Sequence, residues 1–162
     1  MKMHLRYKKI TIKIGSNVLA KSDGTLNVSR IAHLVDQLAF LHNNGVELVV
    51  VSSGAVAAGR AVLQPSKKTD AVSQRQLWAA LGQVKLISRY SDFFNEHGLV
   101  CAQVLTTKEN FSSRGHYLNM QNCFTTLLEN KVIPIVNEND TISVNELMFT
   151  DNDELSGLIA SM

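Results

Sequence analysis

The residues best suited to chemistry fall in three short stretches. Late in the chain Asn137-Glu138-Asn139-Asp140 follows an apolar run, and Asp140, Asp151 and Asp153 are short carboxylates clustered behind it. Such carboxylates attract an ammonium group, Mg²⁺ or a lysine, while N–H groups at a helix start attract anions. A small charged substrate suits both. Near the beginning, Lys13 stands two residues before Gly15-Ser16. An ammonium group beside turn amides makes an anion cradle. Between these stretches, Ser52-Ser53-Gly54-Ala55 sets hydroxyls and glycine-permitted backbone N–H groups directly behind a second apolar run.

Each stretch also has a plainer reading. Helix capping accounts for one aspartate of Asp151-Asn152-Asp153, though not for three polar residues in succession before an apolar helix. Lys13 alone is equally compatible with an edge-exposed side chain that snorkels to solvent. The Ser52–Ala55 stretch is also what a tight strand-to-helix turn needs for packing. Gly54 and Gly59 have the glycine spacing of a P-loop, but Arg60 and Ala61 stand where lysine and the Mg²⁺-binding hydroxyl belong, so that motif is rejected. No dinucleotide-binding glycine pattern follows the first strand. His4, His33, His42, His97 and His116 share no triad or metal spacing and are read as surface or helix-face residues.

The elements that must position these residues follow from periodicity. Lys9–Ile14 alternates and is β-branched, which predicts a strand ended by Gly15-Ser16-Asn17. Ile31, Leu34, Val35, Leu38 and Leu41 fall at helical spacing between an Asn27 N-cap and a Gly45 stop. Val46–Val51 is a second buried strand. Residues 65–69 make a surface connection. Asp70–Asn95 then carries Leu77, Ala80, Leu81, Val84, Ile87 and Tyr90 as the buried face of a long helix, with a break expected near Gly82. Gly98 stops it. Leu99–Leu105 is a third strand. A helix capped by Ser112 or Ser113 uses Tyr117, Met120, Phe124, Leu127 and Leu128. Val132–Val136, apolar and β-branched around Pro134, is a fourth strand buried on both faces. A last helix starts after Asp151-Asn152-Asp153. Strands alternating with helices imply βαβ units and an α/β fold: a three-layer α/β/α sandwich around a mostly parallel sheet. In such sheets ligands bind beyond the carboxyl ends of the strands, where all three stretches lie.

Bulk composition narrows the function classes. With 45% hydrophobic and 19% charged residues the chain of 162 residues is globular, with enough length for a proper core. A net charge of +2 is too small to imply nucleic acid or an anionic membrane as partner. No stretch has the apolar length of a bilayer span, and no apolar segment of signal-peptide type follows the first residues, so a cytoplasmic location is expected. Cys101 and Cys123 have no metal-type spacing and are read as buried free thiols of a reducing compartment.

Five motifs, in order along the chain, together resemble the amino acid kinase family. They are Lys13-Ile14-Gly15-Ser16-Asn17-Val18-Leu19, Ser52-Ser53-Gly54-Ala55-Val56-Ala57-Ala58-Gly59, Gln76-Leu77-Trp78-Ala79-Ala80-Leu81-Gly82-Gln83, Pro134-Ile135-Val136-Asn137-Glu138-Asn139-Asp140 and Asp151-Asn152-Asp153-Glu154-Leu155-Ser156. The Ser-Ser-Gly-Ala turn is closest to the branch of the family that phosphorylates the γ-carboxylate of L-glutamate at the start of proline biosynthesis.

The resemblance implies roles that spacing alone does not. Lys13, with Gly15 and Ser16, serves the phosphates of ATP, and Mg²⁺ accompanies the nucleotide. Ser53, Gly54 and Ala55 hold glutamate, joined by Asp140 and Asn152 and supported by Asn137. Asp140 suits the substrate's α-ammonium group, and Asp153 orients Lys13 without acting as a base. No metal site built from protein ligands alone is expected. The resemblance also implies a longer, homo-oligomeric protein. Residues 1–162 then correspond to a truncated fold holding the N-terminal, glutamate-binding part of the kinase domain. The nucleotide-binding part, and a further RNA-modification-type domain that often follows, are expected outside it. The competing reading is a non-catalytic binding or assembly fragment of the same fold, self-associating at the sheet edge that the missing strands leave.

Overall fold

The computed structural model describes residues 6–65, 69–143 and 152–162. Four strands, β1 (Lys9–Ile14), β2 (Glu47–Ser52), β3 (Val100–Thr106) and β4 (Val132–Glu138), form one fully parallel sheet in the order β1-β2-β4-β3. The helices are α1 (Ser16–Leu19), α2 (Val28–Asn43), α3 (Ala55–Arg60), α4 (Ala71–Glu96), α5 (Glu109–Ser112), α6 (Arg114–Glu129) and α7 (Asn152–Ala160). Among the described residues no helix is long and apolar enough to cross a membrane.

Two-residue alternation divides the strands between two apolar layers. Leu48, Val50, Ile133 and Ile135 face α2 and α4, where they pack with Ile31, Val35, Leu38, Leu86, Tyr90 and Phe94. Val49, Val51 and Val136 face the other way, onto Met120 and Phe124 of α6 and Leu155 and Ile159 of α7. With both faces covered, β2 and β4 read as near-continuous apolar runs, as the sequence shows. The expected three-layer sandwich is the architecture found.

Element boundaries differ from expectation mainly at strand ends. β4 runs two residues past Val136, so Asn137 and Glu138 are buried strand residues and not the start of a loop. Asn27 does cap α2, its side chain accepting from Arg30 N at 3.1 Å. Ser113 stands at the N-cap of α6, but its hydroxyl makes no capping bond. Cys101 is half-buried and Cys123 exposed, so the thiols are free as expected but only one is sheltered. The difference arises because Cys123 points away from the stripe of α6 that carries Met120 and Phe124. His33, His97 and His116 are exposed, whereas His42 is half-buried, and His4 lies outside the described residues.

The largest correction concerns α4. No break occurs near Gly82, and the buried stripe is Trp78, Ala79, Gly82, Gln83, Leu86, Tyr90 and Phe94, with Ala80 and Val84 left exposed. The physical reason is the crossing with α3. A Cβ on Gly82 would lie 1.7 Å from the Ala55 carbonyl oxygen, and one on Gly59 would lie 1.9 Å from that of Trp78. The two helices touch backbone to backbone, and the smallest residues, not the bulkiest, define the contact face. Gly82→Ala is expected to force the helices apart and cost about 2–3 kcal/mol, the upper range for overpacking. Urea denaturation measures it, and a midpoint like that of the unsubstituted chain removes the crossing as a constraint.

Candidate functional site

All four strands end on the same edge, and the connections leaving the two central strands diverge. After β2 the chain passes to α3 and α4 on one face, while α7, the next described helix after β4, packs on the other. Adjacent parallel strands whose connections part in this way leave a crevice at their carboxyl ends. A cleft of about 560 Å³ opens there, lined among others by Ser16, Ser53, Gly54, Ala55, Arg60, Arg75, Trp78, Asn137, Glu138, Asp140 and Asn152.

Its floor is the turn after β2. Gly54 has φ 106°, a left-handed conformation that a side chain disfavours, and a Cβ there would also press on Leu19 and Leu26 at 3.4 Å. The turn presents Ser53 to the cleft. Asn152, at the start of α7, donates from Nδ2 to Ser53 Oγ at 2.6 Å and to Asn137 Oδ1 at 3.4 Å, and Asn137 Oδ1 also accepts from Glu138 N at 2.9 Å. Three polar side chains, from the turn after β2, from β4 and from α7, thus form one connected set.

Ser52 supports this turn from beneath. Its hydroxyl donates to the Ser53 carbonyl at 3.0 Å, so its 2.9 Å contact with Tyr90 is one in which the phenol donates. Burial pushes the Tyr90 phenol up to about 12.

Beside the cleft, Lys13 Nζ lies 2.6 Å from Asp153 Oδ1, with side chains 32% and 66% exposed. Lys13 has therefore found an anion, and its partner stands in the first turn of α7. A Cβ on Gly15 would come within 3.3 Å of Lys13 Nζ, so the missing side chain keeps the space beside the ammonium group open. That opening leaves room for an anion beside Lys13. Among the described residues no group of three His, Cys, Asp or Glu side chains could hold a metal.

Ser16, Ser53, Gly54, Ala55, Asn137, Asp140 and Asn152 share the cleft; Lys13, Gly15 and Asp153 stand next to it, outside its lining. Asp151 lies outside the described residues. What the motifs did not single out is the contribution of α3 and α4. Asp140, 9% exposed, accepts from Arg75 Nε at 3.2 Å and from Nη2 at 2.8 Å. Arg60 lies 4.6 Å over the ring of Trp78, whose indole N–H donates to the Leu63 carbonyl at 2.9 Å. The available signals were the Trp78 motif at the start of a helix and Arg75 one residue before it. Neither spacing ties them to Asp140, 65 positions later.

The model of the amino acid kinase family matches residues 8–162. This chain belongs to the amino acid kinase family. It is 65% identical over 160 residues to a glutamate 5-kinase from Bacteroides thetaiotaomicron, an alignment covering 99% of this chain and 44% of that protein. It is 50% identical over 159 residues to a glutamate 5-kinase from Chlorobaculum tepidum, again across 44% of the relative. The chain thus spans less than half the length of these curated relatives. A solved carbamate kinase from Giardia superposes with a TM-score of 0.62 at 18% identity, covering 96% of this chain and 69% of the other, which supports the amino acid kinase fold.

Within that amino acid kinase fold, the Ser52–Tyr90 contact makes a separable prediction. The protonated phenol contributes stability fully below its ordinary value of about 10, and this contribution is lost as pH rises. The upper end of that window is the value of about 12 to which burial pushes Tyr90. The phenolate absorbance step missing from Tyr90→Phe should lie near that upper value. A missing step at the ordinary phenol position would mean that Tyr90 is not buried as described.

Proposed function

We propose that this chain carries the glutamate-binding part of a kinase that transfers the γ-phosphoryl group of ATP to the γ-carboxylate of L-glutamate. The product is glutamyl 5-phosphate, and the step opens proline biosynthesis. The observation that carries the reading is the cleft itself. Ser53, Asn137, Asn152 and the buried carboxylate of Asp140 meet at the ends of the two central strands, in a chain whose relatives are named for this substrate.

The chemistry asks for positioning more than for proton transfer. A γ-carboxylate is already an anion and a competent nucleophile, so no general base is needed. One of its oxygens forms the new bond to phosphorus as the bond to the departing ADP oxygen breaks, and that bonding pair leaves with ADP. The obstacle is bringing two anions together and stabilising charge on the group in transit. Lys13 supplies a positive charge at the cleft edge, aimed by Asp153 at 2.6 Å. Ser53 and Asn152 supply neutral hydrogen-bonding groups for the substrate's carboxylates, and Asp140 an anion for its α-ammonium group. Mg²⁺, when bound with ATP, neutralises phosphate charge.

We assign the remaining nucleotide contacts to sequence outside residues 1–162, and we propose a cytoplasmic, homo-oligomeric protein. β1 and β3, the outer strands of the four-stranded sheet, are the edges through which copies could pair.

Calorimetric titration of this chain with L-glutamate, with L-aspartate as control, tests the substrate. Binding selective for L-glutamate is expected, and Asp140→Ala should weaken it at least about thirtyfold, since removing a buried ionic partner typically costs 2–5 kcal/mol. Equal binding of the two amino acids, or an Asp140→Ala variant that binds as before, overturns the assignment.

A further inference from the structure

The contact between Arg75 and Asp140 has an unusual geometry. Both Nε and Nη2 of the guanidinium converge on a single carboxylate oxygen, Oδ1. A purely structural arginine–aspartate pair gains most from the side-by-side fork, with one N–H on each oxygen. Here Oδ2 of Asp140 and Nη1 of Arg75 have no polar partner among the described residues. Asp140 is 9% exposed while Arg75 is 48% exposed, and both line the cleft. The pair therefore presents an anionic oxygen and unused N–H donors side by side to the same space.

Its position is fixed from both ends. Gln76, the next residue of α4, donates from Nε2 to the Thr141 carbonyl at 2.9 Å, fastening the first turns of that helix to the segment that bears Asp140. Deeper along α4, Gln83 is buried and held by Gln103 Nε2 at 2.9 Å. Arg75 consequently approaches Asp140 from a clamped helix and not from a loose surface.

We propose that Arg75 is a specificity-determining residue. With Asp140 it forms a two-point clamp for the α-carbon of an amino acid, Asp140 Oδ2 accepting from the α-ammonium group and the free guanidinium N–H groups donating to the α-carboxylate. The inference rests on the glutamate reading of the cleft and adds what that reading lacked, a cationic partner for the second carboxylate. Asp140 alone accepts any primary amine. An arginine beside it favours a ligand with an α-carboxylate, because a ligand without one covers guanidinium N–H groups and leaves them unanswered. With no substrate in the cleft, the same arginine neutralises a carboxylate that burial otherwise penalises.

The test compares L-glutamate with 4-aminobutyrate, which keeps the ammonium group and the distal carboxylate and lacks only the α-carboxylate. Calorimetric titration of the unsubstituted chain should favour L-glutamate by roughly thirtyfold or more, equivalent to about 2 kcal/mol. In Arg75→Met that preference should collapse to within about threefold, chiefly through loss of L-glutamate affinity, as expected when one ionic contact is removed. Arg75→Lys, a point charge without the fork, should fall between the two. It also serves as the second variant if Arg75→Met does not fold. If L-glutamate binds and the preference survives in both variants, the clamp is wrong and the glutamate reading stands. If the unsubstituted chain binds neither compound, the glutamate reading fails and the clamp falls with it.

Discussion

The arrangement depends first on the backbone contact between α3 and α4. Gly59 and Gly82 let a six-residue helix lie directly on a 26-residue one, with no side chain between. α3 begins directly after Gly54 and α4 carries Arg75 and Trp78, so this contact sets how far apart the two walls of the cleft stand. A larger residue at either glycine would move Arg60, Arg75 and the Ser53 turn relative to one another. Interior packing transmits such displacements because it is dense and has little slack.

The parallel sheet supplies the second constraint. β2 pairs with β4 through Val50–Ile135 and Val51–Val136, a register that continues to bring Asn137 level with Ser52 and so within one residue of Ser53, 84 positions earlier in the chain. The divergence of α3 and α7 to opposite faces then opens the space between. Lys13, one strand further along, reaches only the margin of that space. In the proposed reaction the crevice would hold the amino acid and the margin would serve the phosphoryl group.

The strands were legible because burial on both faces demands uninterrupted β-branched runs, and Val46–Val51 and Val132–Val136 have no other simple reading. The grouping of candidate residues at strand ends was legible for a related reason: polar side chains directly behind such runs have few places to go. Arg75 was not legible, because an exposed arginine in the second turn of an amphipathic helix looks like any solvated residue. Its partner is fixed only by tertiary structure. Gly82 misled in the opposite direction. Local propensity marks a mid-helix glycine as a weak point, but here the neighbouring helix uses the absent side chain, so tertiary contact overrides the local preference. The same override moved the buried stripe of α4 from Ala80 and Val84 to Ala79 and Gly82.

The ion pair between Lys13 and Asp153 joins the first strand to the last helix. α7 is seated by Leu155 and Ile159 in the core and by Glu154 3.1 Å from Lys108, and Asp153 adds an ion pair to Lys13 of β1. An anion arriving at Lys13 competes with Asp153 for the ammonium group, and Asn152, the neighbour of Asp153, is bonded to Ser53. Occupancy of the cleft and attachment of this helix therefore draw on the same few contacts. Shared contacts of this kind couple ligand binding to the helix's resistance to local opening, so that a change in either is felt by the other.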